Sequence, residues 1–204
     1  MRIACAFTLC AVAACASGGS EAAERRVDTA GRRDSIAAAA ASSMNENHVV
    51  GLLALTHAAD SALGLLGATK GSSSDVKEFG RMIIREHHAL RKDILDLGVQ
   101  LGVPAETPRV PAEDAPAEAR QTLESSPAGE GWDREYVDYA IAVHNAALEN
   151  TARALAATQR SEIKQFVDKS VPILQKHIDK ARSLRKSLPR AQDTTRASAT
   201  AGRP

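Results

Sequence analysis

All three cysteines of this chain, Cys5, Cys10 and Cys15, fall within the first fifteen residues. The remainder has neither a disulfide to brace its fold nor a thiolate to bind a metal or attack a substrate. Aromatic residues are nearly as scarce, at 3%, and β-branched runs are few. With alanine and leucine abundant, that balance favours an all-helical domain whose helices pack closely on small side chains. Neither sign of charge is in excess, with 26 Lys and Arg against 25 Asp and Glu. No global field draws the chain to nucleic acid, and none is expected as a partner. A Gly-rich phosphate loop and a Gly-x-Ser-x-Gly nucleophile elbow are also missing. No catalytic residue is assigned.

What is present begins with an address. Arg2 supplies a short positive region, and Ile3 to Ala14 is apolar but too short to span a bilayer. Residues 1–14 thus read as a signal peptide. The segment Val12-Ala13-Ala14-Cys15 resembles a bacterial lipobox. In that reading Cys15 is the lipid attachment site, the membrane is the partner, and Ala16 in place of Asp directs sorting to the periplasmic side of the outer membrane. Cleavage after Ala14 or Ala16 and secretion to the periplasm is the alternative. Residues 15–43 then form a tether, with Ser35 to Ser43 a short helix or an extension of the next one.

Four long helices follow. From Met44 to about Lys70, Val49, Leu53, Thr56, Asp60, Leu63 and Gly67 recur at helical spacing. The next helix is capped by Ser74 or Asp75, carries Val76, Gly80, Ile83, His87, Leu90 and Ile94, and stops at Gly102-Val103-Pro104. Residues 102–131 contain five prolines and read as a crossover with one short helix near Ala115 to Glu124. A third helix spans about Trp132 to Thr158, with Val137, Ile141, His144, Leu148, Thr151 and Leu155 on its stripe. A fourth, capped by Ser161, aligns Ile163, Val167, Ser170, Leu174, His177, Ala181 and Leu184. Residues 189–204 are polar and aperiodic, which reads as a disordered tail. Two hairpins joined by a long Pro-rich crossover make an all-α four-helix bundle over residues 44–188.

Each apolar stripe carries one ionisable residue: Asp60, His87, His144 or His177. Their depths match. Asp60 lies twelve residues before the turn at Ser72 and His87 fifteen after it; His144 lies sixteen before Arg160 and His177 seventeen after it. At about 1.5 Å per residue, each pair is level to within roughly 5 Å. His57, three residues before Asp60, shares its face and can join as an auxiliary. His48 and His88 read as flanking or surface positions. Three imidazoles and a carboxylate in a dry core require partners. One solution is a hydrogen-bonded polar layer with no metal. The other is a mononuclear site for Zn, Fe, Cu or Ni, which suits this donor set better than Mg or Ca. A di-iron centre is not expected, because no Glu-x-x-His pair is present: Ile84, Ile141 and Leu174 stand three residues before the three histidines. Glu86 adjoins His87 but projects some 100° away on an ideal helix.

Three segments carry a family resemblance: Phe79-x7-His87, Trp132-Asp133-x-x-Tyr136-x7-His144 and Pro172-x4-His177. With these the chain resembles, from about Met44 to Leu188, the bacterial family catalogued as domain of unknown function 4142, described as outer-membrane or secreted proteins with a ferritin-like bundle. Asp60 falls where the family carries Glu. Glu86 replaces Asp, Trp132 replaces Phe, Val171 replaces Leu, and Met82 is offset by one. The resemblance implies fold and export, and no established activity. The expectation is an exported bundle with a buried layer of three histidines and one aspartate. A metal store, sensor or redox protein and a cell-envelope interaction module with an unidentified protein partner are the alternatives.

Overall fold

The computed structural model describes residues 44–107 and 117–189. Cys15, the signal segment, the tether, part of the crossover and the tail lie outside the described residues. Among the described residues there are five helices and no strand. They are α1 (Glu46–Lys70), α2 (Ser74–Gln100), α3 (Ala117–Ser125), α4 (Glu130–Ala157) and α5 (Ser161–Ser187).

Local chemistry sets the helix ends. Asn45 caps α1 by accepting from the His48 amide at 2.8 Å. Ser73, rather than Ser74 or Asp75, caps α2 through the Val76 amide. At the far end of α2, Gly102 adopts φ +68°. This turns the chain so that the Val103 amide donates to Gly98 O at 2.8 Å and the Gly102 amide to Val99 O at 3.2 Å. That pair of bonds is a Schellman motif, and it needs a residue that tolerates a positive φ. Helix α5 starts from Arg160 without a side-chain cap, so Ser161 does not fill the role expected of it. Pro172 lies within α5, which remains one helix from Ser161 to Ser187.

The four long helices pack chiefly as α1 on α2 and α4 on α5, with α1 also against α4 and α2 against α5. Glu46 at the start of α1 meets Thr158 and Gln159 at the end of α4. Lys70 at the end of α1 meets the residues just before α4. Those contacts make α1 and α4 antiparallel. Glu86–Lys176 and Asp93–Lys169 pairs do the same for α2 and α5. Helices α2 and α4 therefore run in the same direction, so the described ends of the crossover stand at opposite poles of the bundle. The crossover is tied at one end by Glu106 N to Asn47 O (3.1 Å). At the other, the Lys70 ammonium donates to the carbonyls of Leu123, Glu124 and Ser126, closing the C-terminus of α3.

A carboxylate locks each hairpin turn. Both oxygens of buried Asp133 accept from the Ser72 and Ser73 amides, at 2.8 and 2.7 Å. At the opposite pole Glu46 accepts from the Thr158 hydroxyl (2.7 Å) and the Gln159 amide (2.9 Å).

The apolar core falls into two clusters. One gathers Leu63, Phe79, Ile83, Trp132, Tyr136, Val137, Ala140 and Leu184. The other gathers Val49, Leu52, Leu53, Leu90, Ile94, Ala154, Ile163 and Phe166. Helix α1 is long and apolar enough to cross a membrane, but 67% of its most apolar window is buried inside the bundle. Leu155, expected on the stripe of α4, is instead exposed. His48, expected at a flanking or surface position, is buried, with Nε2 3.6 Å from Glu106.

Helices α1 and α2 approach to backbone contact. A Cβ on Gly64 would meet Gly80 O at 2.8 Å and Ile84 N at 2.9 Å, and one on Gly80 would meet Gly64 O at 2.6 Å. Backbone atoms cannot yield as a side-chain tip can. Gly80→Ala is expected to destabilise the protein by about 1–3 kcal/mol through overpacking. Gly131→Ala, at a position with nothing within 4 Å, should change stability little. Urea unfolding of both variants checks this, and equal midpoints would contradict the close approach.

Candidate metal centre

Between the two apolar clusters lies a polar layer. Helix α1 contributes His57 and Asp60, α2 contributes His87, α4 contributes His144 and α5 contributes His177; all five are buried, at 0–1% exposure. Each sits on its helix between residues of one cluster and residues of the other, so the layer divides the core.

The ring nitrogens form a connected set. His177 Nδ1 lies 3.1 Å from His87 Nε2 and 3.1 Å from His144 Nε2. His87 Nδ1 lies 3.1 Å from His57 Nδ1 and 3.2 Å from Asp60 Oδ2, and His57 Nδ1 is 3.9 Å from the same oxygen. Two outer contacts fix tautomers. His144 Nδ1 is 2.7 Å from Ala140 O, four residues back on its own helix. His177 Nε2 is 2.9 Å from Glu86 Oε2. A carbonyl and an ionised carboxylate only accept, so both of those nitrogens carry the proton. In the neutral rings, His144 Nε2 and His177 Nδ1 are therefore bare. Two lone pairs face each other at 3.1 Å.

Electrostatics keep the layer neutral at its centre. Burial presses the imidazole of His87 down to about 3, with His144, His57 and His177 adding to it and Asp60 opposing. Burial and His144 press His177 down to about 4 against the pull of Glu86. Neither ring is a cation at neutral pH. Burial acts to raise the Asp60 carboxyl, but the imidazoles around it, His87 foremost, hold it below the usual carboxylate range. Glu86, opposed by burial, is held low by hydrogen bonds from Lys176 and His177. Asp60 lies within reach of His87 yet poorly aligned: neither of its oxygens, nor His57 Nε2, has a hydrogen-bond partner.

Two overlapping groups have ligand-atom spacing for a metal ion: His87, His144 and His177, and His57, Asp60 and His87. In the first, all three remote nitrogens face an acceptor: Asp60, Ala140 O and Glu86. Outer acceptors of this kind orient imidazole ligands and raise their basicity. The observed 3.1 Å separations compare with about 3.3 Å between ligand atoms of a tetrahedral ion at 2.0–2.1 Å. The structure thus brings together all four positions marked by the helical stripes, with His57 beside them. His88 is exposed. Helical projection alone points Glu86 away from the His87 face. Its long side chain crosses instead to α5, where it accepts from His177 Nε2 and from Lys176 Nζ at 2.6 Å.

The model of a family described as "Domain of unknown function (DUF4142)" matches residues 31–184. No curated protein matches. Among solved structures, a DUF305 fragment from Deinococcus radiodurans superposes with TM-score 0.61 at 18% identity, covering 70% of this chain and 96% of that one. CopM in the Cu(I)-bound form superposes with TM-score 0.55 at 18% identity, and CopM in the Cu(II)-bound form with 0.57 at 14%; each comparison covers 71% of this chain and 97% of the other. At these identities the likeness shows the helical fold.

Depressed imidazoles leave a mark on stability. Below about pH 6.5 the unfolded chain takes up protons that folded His87 and His177 refuse, so the folded state loses ground as pH falls. The loss runs on toward pH 4 and 3, where the folded rings titrate. The melting temperature of chelator-treated protein should therefore decline from about pH 6.5, before carboxylates begin to protonate. A flat profile between pH 7 and 5 would contradict buried neutral rings.

Proposed function

This chain belongs to the family of domain of unknown function DUF4142, and we propose that within it the protein is an exported transition-metal-binding protein whose histidine layer holds the ion. The observation that carries the reading is the pair of facing lone pairs on His144 and His177, with a third imidazole nitrogen, His87 Nε2, at the same distance from His177. A hydrogen-bonded layer without metal is the competing reading. In it, His87 Nε2–H satisfies His177 Nδ1, but His144 Nε2 keeps no donor and Asp60 loses the His87 proton. Leaving buried polar atoms unpaired is costly, of order 1–3 kcal/mol each. A cation bound by all three nitrogens removes the conflict.

His87 Nε2, His144 Nε2 and His177 Nδ1 are the ligands in this reading. Neutral imidazoles suit Cu and Zn, and disfavour Mg and Ca, which take oxygen donors. The likeness to CopM, a protein solved with Cu(I) and Cu(II), supports copper as the first ion to test. The hairpin arrangement, with α2 and α4 parallel and a crossover between them, is read as a ferritin-like four-helix bundle. A ferritin-type di-iron centre is not proposed, since the layer offers imidazoles where such centres use mainly carboxylates. Export rests on the lipobox-like segment ending at Cys15, and the anchored form would sit on the periplasmic side of the outer membrane.

Protein purified without a histidine tag should bind Cu²⁺ or Zn²⁺, and His144→Ala or His177→Ala should abolish binding at the three-histidine site. At a free ion concentration one hundred times Kd the folded state gains about 2.7 kcal/mol, a rise of roughly 5–10 °C in melting temperature. Mg²⁺ and Ca²⁺ should leave the melt unchanged. Identical melts with and without Cu²⁺ and Zn²⁺ would overturn the reading. For the anchor, mass spectrometry of the mature N-terminus should find acylated Cys15; an unmodified cysteine there would exclude it.

A further inference from the structure

The three-histidine group leaves three atoms unexplained. Both oxygens of Asp60 and His57 Nε2 are buried without a hydrogen-bond partner. Lys176, at the Glu86 side of the layer, is engaged by that carboxylate. A carboxylate in an apolar core needs a cation or well-aligned donors. Here it has neither, although two imidazole nitrogens lie beside it.

Those nitrogens complete a second triangle. His57 Nδ1 to His87 Nδ1 is 3.1 Å, His87 Nδ1 to Asp60 Oδ2 is 3.2 Å, and His57 Nδ1 to Asp60 Oδ2 is 3.9 Å. All three residues are at most 1% exposed. These spacings bracket the roughly 3.3 Å separation of ligand atoms around a small transition-metal ion. His87 belongs to both triangles, with Nε2 facing His144 and His177 and Nδ1 facing His57 and Asp60.

Building on the single-site reading above, we propose that the layer takes two transition-metal ions bridged by the imidazolate of His87, the second ion held by His87 Nδ1, His57 Nδ1 and Asp60 Oδ2. When the second ion binds, the proton on His87 Nδ1 leaves to solvent and a metal–nitrogen bond takes its place; no electron moves. The charges stay nearly balanced. Asp60, the bridging imidazolate and Glu86 supply three negative charges against four positive on two divalent ions, so loss of the His87 proton offsets half of the charge that the second ion brings. Asp60, which no well-aligned donor serves, becomes a ligand when the second ion arrives.

The test is a Cu²⁺ titration of chelator-stripped, untagged full chain, read by metal analysis after desalting and by electron paramagnetic resonance. Two equivalents should be retained. The resonance should grow through the first equivalent and collapse through the second, as the two spins couple across the imidazolate. Asp60→Asn, which preserves shape, and His57→Leu should each retain one equivalent with its full signal. One equivalent in the wild type, unaffected by Asp60→Asn and lost in His144→Ala, would overturn the second site and leave the single-site reading intact. Two equivalents with an undiminished signal would overturn the bridge. No retained copper and no retained Zn²⁺ in the wild type would overturn both readings.

Discussion

A backbone carbonyl that can only accept decides the chemistry of this protein's interior. Ala140 O fixes the proton of His144 on Nδ1, and the Glu86 carboxylate fixes that of His177 on Nε2. The two remaining nitrogens are then obliged to face one another bare. Neutral imidazoles are versatile partners in general because either nitrogen can donate; here that freedom has been removed from outside. A buried layer that looks self-sufficient as a list of short distances is, proton by proton, one donor short. The depressed basicity of His87 and His177 means that neither of those two rings makes up the shortage by protonation at neutral pH.

The fold tolerates this because the layer is confined. Apolar clusters close over it on both sides along every long helix, so water has no broad approach and the polar atoms must be satisfied locally. The helices differ in how they meet around it. Helices α1 and α2 touch through glycine backbones, which leaves little room for relative movement and fixes His57, Asp60 and His87 as one unit. Helix α5 is joined to that unit through longer side chains, Glu86 with His177 and Lys176, and Asp93 with Lys169. Glu86 is also partly exposed, so the outer acceptor of His177 is in contact with solvent while the ring itself is not.

Much of this was legible in the residues. Apolar spacing marked four long helices, and the interruption of each stripe by one ionisable residue marked the layer, because a polar side chain among core positions stands out against a regular period. Gly102-Val103 announced the end of α2, and the turn there does depend on glycine. What was hidden has a common cause: it depends on side-chain reach or on neighbours distant in sequence. Glu86 projects away from the His87 face of its own helix, and only the antiparallel packing of α5 shows why it belongs to the site. His48 lies near a helix start and reads as peripheral until the crossover residue Glu106 returns beside it. Leu155 continues the seven-residue spacing of Ile141 and Leu148, which are themselves only partly buried, while Ala154 and Thr158 beside it carry the buried face. Ser73 rather than Asp75 caps α2, a difference of position that composition does not resolve.

The two carboxylate clamps at the poles have a geometric consequence for the centre. Glu46 grips the turn after α4, Asp133 grips the turn after α1, and the same count of eleven residues separates Glu46 from His57 and Asp133 from His144. At about 1.5 Å per residue, each histidine stands roughly 16 Å in from its own anchor. The two helices run in opposite directions, so the anchors act as opposed end-stops, and any axial slip that lengthened one measure would strain the clamp on the other. The height at which α1 and α4 present their imidazoles is thus gauged from both ends of the molecule at once, by groups that never touch the layer.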